Sequence, residues 1–307
     1  MSCRNAFDHV SSPGERSPVE DELDWTNVAT AATLILGNAL VSMLFGLGLE
    51  RTLIVSAIRC VVQLTIMGQI LQPVFEKENP WFVAGLSALL IMISVLEIYF
   101  NRTKHRHDYM FATVLFSMVL SVVLTSAIGN AFAIRADPWW RPRTYIPTMG
   151  MLLGNSMSGM AVGLNVVMGQ ATENKELIEL YLAYGATRWE AARPVVIQGV
   201  RTALLPVLNM MSVMGLISIP GMMTGQIMGG ASIGDAVRYQ QIITFMISAC
   251  TTISTVASCC ACVAIIFDDH DRLRLDRIHS KKKRSVVSAT PASSSSSWSP
   301  KALLERS

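Results

Sequence analysis

The chain has 307 residues, of which 51% are hydrophobic and only 15% are charged, and its mean hydropathy is +0.41. Soluble globular domains have about 25% charged residues, so this composition excludes an ordinary soluble enzyme and is typical of an integral membrane protein. The formal net charge of +3 is too small to indicate a nucleic-acid partner.

The first 27 residues form a polar, acidic segment. This segment has no basic stretch followed by an apolar run, so no cleavable signal peptide is predicted and the first apolar run must direct insertion itself. We predict that residues 1–27 form a tail on the non-cytosolic side of the membrane.

Seven apolar runs follow, and each is long enough to cross a bilayer as a helix, which takes about 20 residues. None alternates with a period of two, as the strands of a membrane β-barrel do. We therefore predict an all-α fold, a polytopic transmembrane helix bundle with about seven spans. The fifth and sixth runs contain many Gly residues and Pro, so they are either full spans or broken helices. The runs are Val28–Leu49, Leu53–Phe75, Trp81–Phe100, Tyr109–Ile134, Tyr145–Met168, Ala203–Thr224 and Ile242–Phe267.

The distribution of basic residues predicts the orientation of the bundle. Cytosolic segments carry an excess of Lys and Arg, and the cluster Lys281–Arg284 lies after the last span. With seven spans, a cytosolic C-terminus places the N-terminus outside and the loop 171–201 in the cytosol. Residues 28–270 are then the transmembrane domain, and residues 271–307 are predicted to be a basic, Ser-rich, disordered cytosolic tail.

The loop 171–201 is predicted to form two helices separated by a glycine. Thr172 is a candidate N-cap for the first helix, and Gly185 is a candidate for its left-handed end. Thr187 and Glu190 have the spacing of a capping box that opens the second helix. The loop is either an amphipathic hairpin that joins two spans or a docking element for a cytosolic partner. The apolar stripe of the first helix consists of Leu177, Leu180, Tyr181 and Tyr184.

Several long strings in the chain resemble one family of permeases. They are LAYGATRWEAARPVV, ALLPVLNMMSVMGLISIPGMMTGQIMGGAS and AVRYQQIITFMI, together with MGMLLGNSMSGMAVGLN and AIRCVVQLTIMGQILQPVF. The chain resembles the FetB-type permeases, which include bacterial proteins credited with iron export and plant aluminium-sensitivity membrane proteins. The resemblance covers about residues 28–270.

This resemblance implies a permease subunit of an ATP-binding-cassette transporter, present in two copies and driven by a separate cytosolic ATPase. The chain contains no Gly-x4-Gly-Lys-Ser/Thr phosphate loop, so no cofactor is expected on this chain and ATP is expected to act through the partner. The expected cargo is an iron-like metal ion or a solute linked to metal tolerance, moved out of the cytosol. The positions expected to couple to the ATPase are Glu179, Tyr184, Gly185, Ala186, Thr187 and Glu190.

Two charged side chains lie inside the predicted spans, Arg59 in the second and Glu97 in the third. Charged groups within a membrane are costly and usually pair or extend toward the head groups. Three interpretations stay open: a structural ion pair between Arg59 and Glu97, separate extension to the membrane surface, and direct contact with the substrate.

Polar and helix-breaking residues complete the candidate transport pathway. Polar side chains in spans either form hydrogen bonds between helices or lie along a transport path. A break at Pro220 would free carbonyl groups that can face an ion. The candidates are Gln63, Asn155, Ser156, Ser158, Asn165 and Asn209, and, around the break, Pro220, Gly221, Met222, Met223, Thr224 and Gln226.

Other patterns favour packing over chemistry. Four Gly-x3-Gly pairs predict close contacts between helices, and a group of methionines around the sixth span predicts adaptable packing, with a soft metal ion as the alternative. The sequence contains no catalytic triad and no metal-ligand spacing such as His-Glu-x2-His, so the chain is not expected to be an enzyme. The competing functions are a membrane scaffold or sensor that binds a cytosolic partner, and a carrier that needs no ATP.

Overall fold

The computed structural model describes residues 25–77, 79–107, 109–134, 140–267, 272–274 and 278–280. Within it the chain divides into two compact units, residues 1–79 and residues 80–307. Residues 1–24 and 281–307, which make up most of the two predicted tails, lie outside the described residues. The predictions made for those tails therefore stay predictions.

The first unit is a pair of helices, α1 (Trp25–Leu44) and α2 (Glu50–Lys77). Its turn contains Gly46 and Gly48 with φ values of +64° and +65°, which glycine adopts without a steric penalty. The hydroxyl of Ser42 accepts a hydrogen bond from the N–H of Leu49 at 3.1 Å and donates one to Glu50 Oε2 at 3.4 Å. These bonds hold the start of α2 against the end of α1.

The second unit contains the other described helices and two short strands. The long helices α5 and α9 pack against each other, and α4 and α7 flank them. The largest fully buried side chains are apolar and come mainly from α4, α5 and α9. The elements are α3 (Pro80–Glu97), a π-helical turn (Ile98–Arg102), β1 (His105–His107), α4 (Met110–Ile128), a second π-helical turn (Gly129–Ile134), α5 (Pro142–Glu173), α6 (Lys175–Ala183), α7 (Arg188–Val213), α8 (Gly221–Met228), α9 (Ile233–Ile266) and β2 (Ile278–Ser280).

Glycine allows the close approach of α5 and α9. A Cβ atom on Gly159 would lie 2.6 Å from Thr251 Cγ2, and one on Gly163 would lie 2.8 Å from Thr255 Cγ2. Such distances are well inside van der Waals contact, so any side chain would push the two helices apart. The predicted packing role is confirmed for this Gly-x3-Gly pair.

The same prediction is wrong for two other glycine pairs. A Cβ atom on Gly150, Gly154, Gly221 or Gly225 would meet no atom within 4 Å in the part of the chain that the structure describes. Within the described part of residues 80–307, no helix packs against these faces of α5 and α8 closely enough to require glycine.

The structure shows that the fifth span is a continuous helix. Helix α5 runs without interruption through Pro147, although proline has no N–H to donate to the carbonyl four residues earlier. The prediction that Thr172 caps the following helix is wrong. It lies inside α5, and its hydroxyl donates to the carbonyl of Met168 at 2.9 Å, while Asn174 occupies the N-cap position of α6.

The predicted sixth run, Ala203–Thr224, is interrupted after Val213, and the spanning helix at this point has other boundaries than predicted. The second helix of the loop and most of the sixth span form one helix, α7, which contains both Pro194 and Pro206. The chain leaves the helix at Met214, because Gly215 has a φ of +89° and such a left-handed residue ends a helix. The helical structure resumes only after Pro220, the N-cap of α8.

The seventh span begins earlier than predicted. Helix α9 starts at Ile233, where the hydroxyl of Ser232 accepts a hydrogen bond from the N–H of Asp235 at 3.2 Å. Asp235 and Arg238 are charged, so the first turns of α9 are not part of the predicted apolar run Ile242–Phe267. Both side chains are exposed and form an ion pair at 3.7 Å. Their charge therefore does not prevent a helix in this position.

Within the described residues, seven helical segments are long and apolar enough to cross a membrane. They correspond one to one with the seven predicted spans, which confirms the predicted fold class. The protein is a multi-pass integral membrane protein.

A two-stranded antiparallel ribbon is the one sheet in the described part of the chain. Strand β1 pairs with β2, with His105 opposite Ser280 and His107 opposite Ile278. Strand β2 falls inside the segment that was predicted to be a disordered tail, so at least these residues of that segment pair with the loop before α4.

Candidate functional site

The hairpin formed by α6 and α7 presents an exposed apolar surface. Only Ile178 of α6 is buried, at 3% exposure. The residues of the predicted stripe are exposed, and Tyr184 at its end is 84% exposed. The side chains of Lys175 and Glu179 form an exposed ion pair at 3.5 Å, which contributes little to stability but keeps the helix polar. The exposed stripe consists of Leu177, Leu180, Tyr181 and Tyr184.

The turn of the hairpin has the predicted conformation. Gly185 has a φ of +87°, and its N–H donates to the carbonyl of Leu182 at 3.0 Å. The N–H of Ala186 donates to the carbonyl of Tyr181 at 3.0 Å. These two bonds are those of a Schellman motif, so Gly185 ends the helix as predicted.

A capping box fixes the start of α7. The hydroxyl of Thr187 accepts a hydrogen bond from the N–H of Glu190 at 3.4 Å, and Glu190 Oε2 accepts one from the N–H of Thr187 at 2.9 Å. Ala191 and Ala192 follow directly and are almost fully buried. The turn is therefore anchored on both sides, which leaves Tyr184 on a defined, exposed corner.

Asn165, one of the predicted pathway residues, holds a loop instead. Its Oδ1 accepts a hydrogen bond from the N–H of Lys104 at 2.8 Å, and its Nδ2 donates to the carbonyl of Arg102 at 3.1 Å. Both ends of the amide are thus bound to the backbone of the segment between the first π-helical turn and β1.

Three predicted pathway residues near the middle of α5, Asn155, Ser156 and Ser158, differ in their hydrogen-bond partners. Asn155 donates to the carbonyl of Met151 at 2.9 Å, and Ser158 donates to that of Gly154 at 3.0 Å, so both bond to their own helix. Ser156 is fully buried and donates to Cys250 Sγ of α9 at 3.2 Å. Only Ser156 of this group joins two helices.

The predicted candidates in the first unit and in α3 are not brought together in one described site. Arg59 and Gln63 are exposed on α2. Glu97 accepts a hydrogen bond from Asn101 Nδ2 at 2.8 Å. Arg59 and Glu97 belong to different compact units, so their pairing stays a prediction.

The predicted break in the sixth span contains a compact turn. The N–H of Gly215 donates to the carbonyl of Ser218 at 2.9 Å, and Leu216 is 92% exposed. In α8, the hydroxyl of Thr224 donates to the carbonyl of Pro220 at 3.3 Å. Of the other candidates here, Asn209 and Gly221 are exposed, and Met222, Met223 and Gln226 are half-buried.

Sequence reasoning missed a cluster where α7 ends. The hydroxyl of Thr244 donates to the carbonyl of Gln240 at 2.8 Å, and its oxygen lies 3.3 Å from Met214 Sδ. Nε2 of Gln240 lies 3.9 Å from the same sulfur. Gln240 and Thr244 are four residues apart and therefore lie on one face of α9. That spacing is visible in the sequence, but Gln240 lies before the predicted start of the seventh span.

The fold and these sites define a class of protein: a polytopic α-helical membrane protein with a structured hairpin at one end of its bundle and a broken sixth span. A family model described as "Uncharacterised protein family (UPF0014)" matches residues 25–267. The chain belongs to this family, and the resemblance recognised in the sequence is confirmed.

Named relatives of the chain cover most of its length. It is 31% identical over 253 residues to the UPF0014 membrane protein slr1647 of Synechocystis, covering 82% of this chain and 97% of the relative. It is 28% identical to the probable iron export permease protein FetB of Escherichia coli, covering 76% and 88%. It is 32% identical to the protein ALUMINUM SENSITIVE 3 of Arabidopsis thaliana, covering 76% and 84%. No solved structure matches the chain.

Proposed function

We propose that this chain is the membrane-spanning permease subunit of an ATP-driven transporter that exports an iron-like metal ion or a solute linked to metal tolerance. The names of two relatives support the cargo: one is called a probable iron export permease and the other is named for aluminium sensitivity. The names of its relatives describe permeases and membrane proteins, which favours transport over catalysis.

The observation that carries the proposal is the exposed corner of the α6–α7 hairpin. An aromatic side chain that is 84% exposed, on a turn fixed by a Schellman motif and a capping box, offers a rigid apolar projection to a partner. A cytosolic ATPase subunit is the partner we propose, because the chain has no phosphate loop of its own.

Helix α7 connects the hairpin turn directly to the transmembrane bundle. It runs as one helix of 26 residues from the hairpin turn at Gly185 to the break at Met214, a length of about 39 Å at 1.5 Å per residue. Closure of the ATPase would push on the turn, and α7 would carry that displacement to the break that follows it at Met214. Because such ATPase subunits act in pairs, we propose two copies of this chain in the bilayer, with no nucleic acid involved.

Co-purification tests this function with a matched pair of tyrosine variants. Tyr184→Ala removes the projection, and Tyr109→Ala removes a similarly exposed tyrosine, at 80%, from the loop before α4. We expect an ATPase subunit to co-purify with the wild type and the Tyr109 variant, and to be lost with the Tyr184 variant.

The competing functions predict other results, one in the co-purification and one in a transport assay. A scaffold or sensor would retain only partners without ATPase activity. A carrier that needs no ATP would transport its cargo in liposomes that contain the purified chain alone. Either result would replace the proposed function.

A further inference from the structure

Hydroxyl side chains form two rows in the interior of the second unit. In α4, Ser117, Ser121 and Thr125 recur every four residues and therefore lie on one face of the helix, and all three are buried. In α9, Thr251 and Thr255 have the same spacing and are fully buried. Helix α9 packs against both α4 and α5, so the two rows lie inside the bundle rather than toward lipid.

Four of these five hydroxyl groups have no partner in the described part of the chain. A hydroxyl inside a helix commonly bonds to the carbonyl of the preceding turn, as Thr113 does when it donates to the carbonyl of Tyr109 at 3.1 Å. A buried polar group that stays unpaired is costly and rare, so a group of them indicates that something else binds there. The unpaired hydroxyls are those of Ser117, Thr125, Thr251 and Thr255.

Two amide oxygens continue this set toward the end of the bundle at which α9 begins. Oδ1 of Asn130, in the π-helical turn after α4, and Oε1 of Gln240, in α9, are buried and accept no hydrogen bond within the described residues. From Gln240 to Thr255 the unpaired groups of α9 extend over about 23 Å at 1.5 Å per residue. The hydrocarbon core of a bilayer is about 30 Å thick, so these groups follow most of its depth.

Cys250 lies within this set and brings three helices together. Its side chain is fully buried in α9, and the hydroxyl of Ser156 in α5 donates to its Sγ at 3.2 Å. The hydroxyls of Ser121 and Thr125 in α4 lie near the same sulfur, although that of Thr125 does not have the geometry of a hydrogen bond. The polar groups therefore converge where α4, α5 and α9 meet, and a thiol marks that point.

Water is the ligand that fits this lining. A buried water molecule typically binds about three polar groups that otherwise have no partner, and the groups here are neutral hydroxyls, amides and a thiol. We propose that α4, α5 and α9 enclose an aqueous path, closed in this structure because its lining is buried, through which the cargo passes with its hydration shell. This path rests on the proposed transport function and gives it a location, and Ser156 is the pathway residue predicted from the sequence that belongs to it.

Modification of Cys250 by a charged, water-soluble methanethiosulfonate reagent tests the path. Such a reagent does not enter lipid, and it reacts with the thiolate, a form that apolar surroundings suppress. Cys262 is the internal control. It is as deeply buried as Cys250 but lies only four residues from the end of α9 at Ile266, so fraying of that end would expose it first.

We expect the full chain in lipid nanodiscs to react several-fold faster at Cys250 than at Cys262, as measured by mass spectrometry of the separate peptides. This order is the reverse of the order that fraying produces. Protection of Cys250, or a rate at Cys262 that is equal or higher, would overturn the path.

Thr125→Val gives a result that unfolding cannot mimic. Valine has nearly the shape of threonine and carries a methyl group in place of the hydroxyl, so the path loses a group that binds water near Cys250. Modification of Cys250 should become several-fold slower, whereas partial unfolding would make it faster. Thr113→Val is the control, because the hydroxyl of Thr113 is already bonded within its own helix, and its rate should equal that of the wild type. An unchanged rate in Thr125→Val would contradict the lining.

The path and the proposed ATP-driven function fail separately, because the modification assay contains no ATPase subunit. A reactive Cys250 together with a failed co-purification would keep the path and remove the ATPase partner. A protected Cys250 together with a successful co-purification would remove the path and keep the partner.

Discussion

The side chain of Asn165 accepts a hydrogen bond from the backbone N–H of Lys104 at 2.8 Å, across 61 residues of sequence. The bond ties the C-terminal part of helix α5 to the loop between α3 and α4. A second bond from the same amide to the carbonyl of Arg102 completes the clamp. The role of Asn165, a polar residue in a membrane span, is therefore to hold this loop.

Replacement of Asn165 by Leu should loosen this loop. Two hydrogen bonds are lost, each worth about 0.5–1.5 kcal/mol net, so amide hydrogen exchange in residues 102–107 should accelerate. Ser158→Ala is the control, because Ser158 is exposed and bonds only to its own helix. Equal exchange in the two variants would show that the clamp does not hold the loop.

The glycines of α5 should differ in their tolerance of a larger side chain. Gly163→Val places atoms where Thr255 Cγ2 and Cys259 Sγ already lie, and overpacking of this kind costs about 1–3 kcal/mol. Gly154→Val is the control, because a Cβ atom at Gly154 would meet no atom within 4 Å in the described part of the chain. Thermal unfolding in detergent should therefore occur at a lower temperature for Gly163→Val only, and equal shifts would contradict the packing.

The capping box should control the first turn of α7. Thr187→Ala removes the acceptor for the N–H of Glu190, which costs about 1 kcal/mol, and exchange of the first amides of α7 should accelerate. Thr187→Ser keeps the hydroxyl and should retain most of the protection. If the Ser variant exchanges as fast as the Ala variant, the hydroxyl is not the stabilising group.

Local features were predictable from the sequence because their causes lie within a few residues. The seven spans follow from apolar composition. Gly185 and the pair Thr187 and Glu190 form the turn and the cap that their types and spacing predict. The sequence predicts the helix break at Pro220, because proline is a recognisable helix breaker. In the structure α7 ends earlier, at Val213, because of the left-handed conformation of Gly215.

Contacts between distant residues could not be read from the sequence. Nothing near Asn165 indicates that it binds the loop at Lys104, and nothing near Gln240 indicates that it meets Met214. These contacts depend on how the helices pack and rotate against each other. The same limit applies to the Gly-x3-Gly pairs: among the described residues of the second unit, Gly159 and Gly163 pack against α9, whereas Gly150 and Gly154 meet no neighbour.

Site-specific cross-linking from position 184 tests the central claim most directly. A photoreactive amino acid replaces Tyr184 in the full chain in its native membrane, and the same residue at position 109 is the control. The account predicts an adduct with an ATPase subunit from position 184 that appears or disappears with the nucleotide state of that subunit, and no such adduct from position 109. An adduct with lipid alone, or with a protein that does not hydrolyse ATP, would contradict it.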